Sequence, residues 1–316
     1  PKTAWPPTLS FLSALPGNIA QGIIWGLMGL GVFLTFKLLN FADLSVDGSF
    51  ATGGAVTAVM LINGCPVWAT IIVAILAGLV AGLVTGLLHT LLGIPDILAG
   101  ILTQIALYSI NLNIMGKSNL PISYRNYTLV VSASNINMAI LVGLGICAVV
   151  IAAMYWYFGT EQGSTIRSTG SNPAMSKAQG ININFTKVIA LALSNGLVAL
   201  SGSLFAQYQG FADINMGRGA IVIGLAAVII GEVLGEAIFR KHMNFIIRML
   251  FVIVGGILYY IAMGIVLWLK MPTDDTKLFT AIIVAIFLAV PYLQKKRKTS
   301  FKKVAKMNAK NAQKEG

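Results

Sequence analysis

Long apolar runs divide this chain, and their length constrains the fold more than any other feature. About 20 apolar residues cross the hydrocarbon core of a bilayer as a helix. Nine runs are candidates for such spans: 17–38, 48–64, 67–93, 97–115, 138–158, 186–207, 217–238, 245–268 and 277–293. Because 57% of the 316 residues are hydrophobic and only 10% are charged, an ordinary soluble domain is excluded. The sequence predicts an all-α polytopic membrane protein of about nine transmembrane helices.

The segments outside these runs give the predicted domain organisation. Residues 1–16 form an extracytoplasmic N-terminal segment, residues 17–293 the membrane domain and residues 294–316 a basic tail. Lys and Arg concentrate on the cytoplasmic side of membranes, so the tail is predicted to be cytoplasmic. A short half-inserted element within 116–137 would raise the helix count to ten. Much of the net charge of +12 lies in the tail, which indicates proximity to the lipid surface rather than a nucleic-acid partner.

A polar corner occurs twice in the chain. Phe-Ala-Asp stands at 41–43 and again at 211–213, and an ungapped alignment around these triplets gives eight identities in 34 positions. Five predicted spans separate the two copies, so the corners are expected to face opposite sides of the membrane. The pattern predicts an inverted-topology repeat with halves of about 17–115 and 186–293, an arrangement found in many transporters.

The acidic residues of the corners are predicted to be structural. A carboxylate just before a helix accepts backbone N–H groups and is favoured at the positive end of the helix dipole. Asp43 and Asp47 are placed in this way relative to the helix expected over 48–64, and Asp213 occupies the matching position in the second copy. We therefore expect capping rather than solute contact at these three residues.

The loop 159–185 is the longest and most polar of the connections predicted to be cytoplasmic, and it contains a short helix pattern. Asn172 is a good N-cap, Pro173 suits the first helical position, and Gly180 can end the helix. Such a helix suits docking into a groove of a soluble partner, but an ordinary surface helix has the same signals.

The positions of the acidic residues indicate the source of energy for transport. Ion-coupled carriers keep ionisable residues near the middle of the membrane, whereas the acidic residues here are expected in loops or near span ends. The sequence also lacks the Gly-x-x-x-x-Gly-Lys-Ser/Thr pattern that binds nucleotide phosphates. No catalytic or metal-binding cluster is evident, so we expect a chain that is not an enzyme, holds no cofactor, and depends on an external energy source.

Uncharged polar residues within the spans are candidates for a solute path. They are Gln104, Asn111, Ser194, Asn195 and Tyr259. Hydrogen bonding between helices is the competing explanation for each of them. Gln104 and Asn111 are seven positions apart and therefore share one helical face, which favours this pair. Gly78, Gly82 and Gly86 recur at helical spacing and predict close packing of another helix.

Three stretches carry a resemblance to a known family. "GSNPAMSKAQGIN", "IALALSNGLVALSGSLFAQYQGF" and "NFADLSVDGSF" are similar to the permease subunits of ribose- and branched-chain-amino-acid-type ABC importers. More narrowly, "LLNFADLSVDGSFATGGAV" resembles permeases labelled as tryptophan/tyrosine transporters. The likeness covers roughly residues 20–290, almost the whole membrane domain.

The resemblance implies a bacterial cytoplasmic membrane protein with several partners. These are a second permease copy, two cytosolic ATPases that bind ATP and Mg²⁺, and an extracytoplasmic solute-binding protein. It also implies that the loop helix couples the ATPases to the permease. That role falls on Asn172, Pro173, Ala174, Met175, Ser176, Lys177 and Gly180.

The sequence therefore favours an ABC importer permease for a small solute such as an aromatic or branched-chain amino acid. A sugar or nucleoside importer of the same class remains open. An ion-coupled secondary transporter built on inverted repeats is the alternative from another class.

Overall fold

The chain folds into a helical bundle. The computed structural model describes residues 7–122, 127, 129–239 and 244–268, with scattered positions between 278 and 289. The helices are α1 (Pro7–Val32), α2 (Val46–Ile62), α3 (Val67–Thr90), α4 (Asp96–Met115), α5 (Ile136–Gly159), α6 (Glu161–Ser171), α7 (Pro173–Ala178), α8 (Ile183–Gln209), α9 (Ala220–Phe239) and α10 (Phe245–Trp268). Two short antiparallel strands, β1 (Asn119–Pro121) and β2 (Phe211–Asp213), pair with Asn119 opposite Asp213.

The helices follow eight of the nine predicted runs. Within the described residues, seven helical segments are long and apolar enough to cross a membrane, and α2, with 17 residues, is a shorter apolar helix. The ninth run, 277–293, lies largely outside the described residues. The described part of 116–135 contains β1 and no helix, so it gives no support to a tenth helical element there.

Two elements differ from the sequence prediction. α1 begins at Pro7, ten residues before the predicted run, and includes Pro16. α6 was not predicted, because its sequence, "EQGSTIRSTGS", is polar and gives no apolar run. Thr160 caps it by accepting a hydrogen bond from the Gly163 N–H.

α8 is the centre of the bundle, and α1, α2 and α3 pack around it. Glycines allow these helices to approach closely: a side chain at Gly82 would collide with Leu191 of α8, and one at Gly53 with Ala199. Gly78 and Gly86 face α8 in the same way, as the glycine spacing of α3 predicted. Close contact between backbones at these glycines therefore holds α2 and α3 against α8.

Serine hydroxyls also join α8 to α1. Ser194 Oγ donates to the Gly31 carbonyl and Ser201 Oγ donates to the Ile24 carbonyl, each at 2.7 Å. The residue numbers fall along one helix as they rise along the other, so α1 and α8 are antiparallel. Lipid, unlike water, offers a hydroxyl group no hydrogen-bond partner. The two serine bonds therefore help to hold α1 and α8 together.

Each Phe-Ala-Asp corner follows a residue in the left-handed region of backbone conformation. α1 continues as a π-helical segment, Phe33–Leu38, after which Asn40 has φ of 55°. α8 ends at Gly210, whose φ is 77°. Asn and Gly are the residues that adopt this conformation most readily. In both places it turns the chain back toward the bundle.

The two corners lie at opposite ends of the bundle. Phe41 packs edge-on against His89 at the end of α3, and Leu44 lies against Gly100 in the first turns of α4. Ala212 instead packs in a cluster with Leu61 and Met115, which are at the ends of α2 and α4.

The contact at Gly82 predicts a strong sensitivity to a single methyl group. Gly82→Ala should destabilise the protein by about 1–3 kcal/mol, because its Cβ meets the backbone of Leu191. Gly145→Ala is the matched control, since a Cβ at Gly145 has nothing within 4 Å. Thermal unfolding in detergent measures both variants. Equal unfolding temperatures would contradict the packing assigned to α3 and α8.

Candidate functional site

A buried hydrogen-bond network connects the first corner to the middle of α8. Asp43 accepts hydrogen bonds from the Ser45 backbone N–H at 2.9 Å and from the Asn195 side-chain amide at 2.8 Å. Asn195 donates its other N–H to the Leu191 carbonyl and accepts from the Ser49 hydroxyl at 2.6 Å. Asp43 is 2% exposed, and it lies in the connection between the π-helical segment and α2, as predicted for an acidic residue in a loop or near a span end.

Asp47 caps a different helix from the one predicted. Its two carboxylate oxygens accept the backbone N–H groups of Gly219 and Ile221, both at 2.9 Å, at the start of α9. The N-termini of α2 and α9 thus meet at one side chain. In the second corner, Asp213 accepts the Asn215 N–H at 2.7 Å and contacts the Asn119 amide of β1 at 3.3 Å.

A polar cavity of about 330 Å³ lies between α2, α4 and the segment that leads into α9. Its lining residues are Asp47, Gly48, Ala51, Gln104, Ile105, Tyr108, Asn111, Ile214 and Arg218. Gln104 and Asn111 were predicted to share a face, and they line this cavity together. Asn111 is 1% exposed, and neither atom of its amide has a partner in the described part of the protein.

The other three predicted path residues do not line the cavity. Ser194 and Asn195 are completely buried and are used in the helix contacts described above. Tyr259 is buried against Ala226 and Ile230 of α9. Their contact with the solute stays a prediction, because a polar group facing a neighbouring helix and one facing a pore look the same in sequence.

The predicted loop helix is present as α7. Asn172 Oδ1 accepts the Met175 N–H at 3.1 Å, Pro173 occupies the first turn, and Gly180 has φ of 82°. Ser176 is buried, whereas Met175 is 58% exposed. α7 therefore presents an uncovered surface at the end of the bundle that carries the first corner.

α6 connects this surface to the end of α1. Gly170 of α6 lies against the Leu38 carbonyl so closely that a side chain would collide with it. Arg167 donates to the Phe158 carbonyl at 2.9 Å. The loop is thus attached to the helices on both sides rather than projecting freely.

An ion cluster at the same end was missed by the sequence analysis. Glu232 of α9 pairs with Lys37 of the π-helical segment at 2.9 Å and with Arg248 of α10 at 3.7 Å. Both basic partners are partly exposed, so the stabilisation is modest. The spacing of these residues in the sequence gives no signal of their proximity.

These features define a class of protein: a multi-pass helical membrane protein with a solute-sized polar cavity and an exposed helix at one end. Among the described residues, no group of three or more His, Cys, Asp or Glu side chains could hold a metal ion. The fold resembles that of the structure titled "PsaBC from Streptococcus pneumoniae in complex with Fab", with a TM-score of 0.51 and 16% identity. The likeness covers 89% of this chain and 90% of that one.

Residues 17–291 match the model of the family described as branched-chain amino acid transport system / permease component. The chain belongs to this family and is the permease component of an ABC-type transporter. It is 42% identical over 301 residues to the tyrosine transport system permease protein of Clostridioides difficile strain R20291, which covers 95% of this chain and 99% of that protein. A 91-residue stretch is 34% identical to the nucleoside ABC transporter permease protein NupC of Lactococcus lactis subsp. cremoris MG1363, covering 28% and 29% of the two chains.

The network around Asn195 predicts a compensating pair of substitutions. Asn195→Asp places a second carboxylate against Asp43 and should lower the free energy of unfolding by about 3 kcal/mol or more. Adding Asp43→Asn places an amide donor at position 43 opposite the carboxylate at position 195. The double variant should therefore recover about 0.5–3 kcal/mol of the lost free energy of unfolding. Unfolding of the two single variants and the double variant in mixed micelles measures the coupling. Strictly additive losses would show that the two side chains do not interact.

Proposed function

We propose that the chain forms the solute path of an ABC importer for an amino acid with an aromatic or branched side chain. The observation that carries this proposal is the polar cavity at the middle of α4, in a chain 42% identical to a tyrosine transport permease. Energy comes from two partner ATPases that bind ATP and Mg²⁺, so this chain does not hydrolyse ATP. A solute-binding protein delivers the solute from outside.

The subunit is proposed to have nine transmembrane helices and an inverted repeat. Several features recur at a separation of 170 positions. Asn40 and Gly210 both have positive φ, and the turn in which Asp43 binds the Ser45 N–H matches that of Asp213 and Asn215. The two serine bonds between α1 and α8 also join equivalent positions. Ser194 and Gly31 in one bond are 170 positions from Ile24 and Ser201 in the other.

Further support comes from the contact between Asp47 and Gly217, which occupy equivalent positions in the two copies. Equivalent residues touch each other only near the axis that relates the copies. The antiparallel course of α1 and α8 and the opposite placement of the two corners fit such an axis in the membrane plane.

The proposed orientation places α7, the first corner and the basic tail in the cytoplasm of a bacterial cell. Asn172 to Lys177 and Gly180 then form the contact with the ATPases, with the exposed Met175 as its apolar centre. A second copy of the permease is proposed to complete the transporter. It would cover the exposed face of α4, where Ile105 and Tyr108 project beside the cavity.

Transport by proteoliposomes tests the proposed function. Vesicles containing the full transporter and its binding protein should transport L-tyrosine or L-leucine only when ATP is supplied on the side of the membrane that carries the ATPases. The permease alone should give no uptake on a proton or sodium gradient. Gradient-driven uptake would favour the secondary-carrier alternative. Uptake of uridine without uptake of either amino acid would favour a nucleoside importer, in agreement with the shorter match to NupC.

A charge on α7 should uncouple the transporter. Met175→Glu replaces an exposed apolar side chain with a carboxylate, so co-purification of the ATPase should fall by about tenfold or more. Gln162→Glu, an exposed position on α6, adds the same charge outside α7 and is the matched control. Size-exclusion profiles of the permease alone check that both variants fold. Full retention of the ATPase by Met175→Glu would contradict the assigned contact.

A further inference from the structure

The cavity beside α4 contains a buried polar group that needs a partner. Asn111 is almost completely enclosed, yet its amide oxygen and nitrogen are both unpaired in the described residues. An amide buried in this way is costly unless a ligand or an ordered water completes its hydrogen bonds. Its position in the cavity lining makes it a polar contact for whatever enters.

The charges around the cavity indicate what that ligand carries. Arg218 lines the cavity, and no acidic side chain among the described residues pairs with its guanidinium. Asp47 also lines the cavity, but its two oxygens are already bonded to the N–H groups of Gly219 and Ile221. The carboxylate of Asp47 is therefore bound to the start of α9, and the guanidinium of Arg218 can pair with an anionic group of a ligand.

A guanidinium has a planar fork of donors that matches the two oxygens of a carboxylate. The start of α2, at Asp47 and Gly48, also lines the cavity, and the positive end of its helix dipole favours an anionic group. A neutral sugar or nucleoside would leave the guanidinium without a counter-charge. The chemistry of the cavity thus matches a small solute with a carboxylate.

We propose that Arg218 binds the α-carboxylate of an amino acid in this cavity, with Asn111 and Gln104 contacting its amino group. Ile105, Tyr108 and Ile214 then face the side chain of the solute. This inference rests on the proposed function, because it assumes that the cavity is part of the amino-acid path. It assigns a specificity-determining role to Arg218, which lies outside the helices.

Protection of an introduced cysteine tests the assignment. Ala51→Cys, at a cavity-lining residue with no proposed contact to the solute, is made in a chain whose two native cysteines, Cys65 and Cys147, are replaced by Ser and Ala. The full transporter in proteoliposomes is then labelled with a methanethiosulfonate reagent. At ten times its Kd, L-tyrosine should slow labelling about tenfold, because only a small fraction of the sites remains free. L-leucine should protect as well, whereas tyramine, which lacks the carboxylate, and uridine should not.

Arg218→Gln should abolish protection by L-tyrosine while the cysteine is still labelled, and Arg218→Lys should retain part of it. Lys117→Gln removes the same charge from an exposed position after α4 and should leave protection unchanged. Equal protection by tyramine, protection that persists in Arg218→Gln, or a cysteine that is never labelled would overturn the proposal.

ATP-driven uptake in the same vesicles separates this proposal from the proposed function. Uptake of L-tyrosine without protection of the cysteine would refute the site and leave the transport function standing. Carboxylate-dependent protection without uptake of any amino acid would support the site and refute the transport function.

Discussion

The close approach of backbones around α8 is the constraint on which the rest of the structure depends. Lipid tails are as apolar as leucine, so burial of large side chains gives little drive for helices to associate in a bilayer. Gly53 of α2 and Gly82 of α3 instead bring whole helices against α8, and serine hydroxyls bond across the gap to α1. A side chain added at either glycine would collide with the backbone of α8 and push the two helices apart.

Two polar connections reach buried positions between the helices that surround this centre. The first corner reaches Asn195 in the middle of α8, and the segment after β2 reaches Asp47 at the start of α2. The side-chain amide of Asn195 is fully hydrogen-bonded, whereas that of Asn111 on α4 has no partner among the described residues. The difference separates a polar group that stabilises the fold from one whose hydrogen bonds the described part of the protein does not supply.

The helices and the capped α7 could be predicted, because apolar length and capping residues are local signals. Asn172, Pro173 and Gly180 mark the start and the end of this short helix by their local conformational preferences. The role of Asp47 could not be predicted, since the helix that it caps lies more than 170 residues further along the chain.

The polar path residues show the same limit. Gln104 and Asn111 were grouped correctly because a seven-residue spacing fixes a helical face. Ser194 and Asn195 gave an equally polar signal, and only the position of neighbouring helices reveals that they are fully bonded. Arg218 follows a corner, so no periodic pattern indicated that it lines a cavity.

One carboxylate joins two helices that begin inside the protein and run toward opposite ends. Because the oxygens of Asp47 accept the N–H groups of Gly219 and Ile221 at the start of α9, a tilt of α9 would also displace the start of α2. The wall of the cavity would then move together with α9, whose Glu232 pairs with Lys37 and Arg248. A displacement beginning at that ion cluster would be transmitted to the cavity beside α4 through α9.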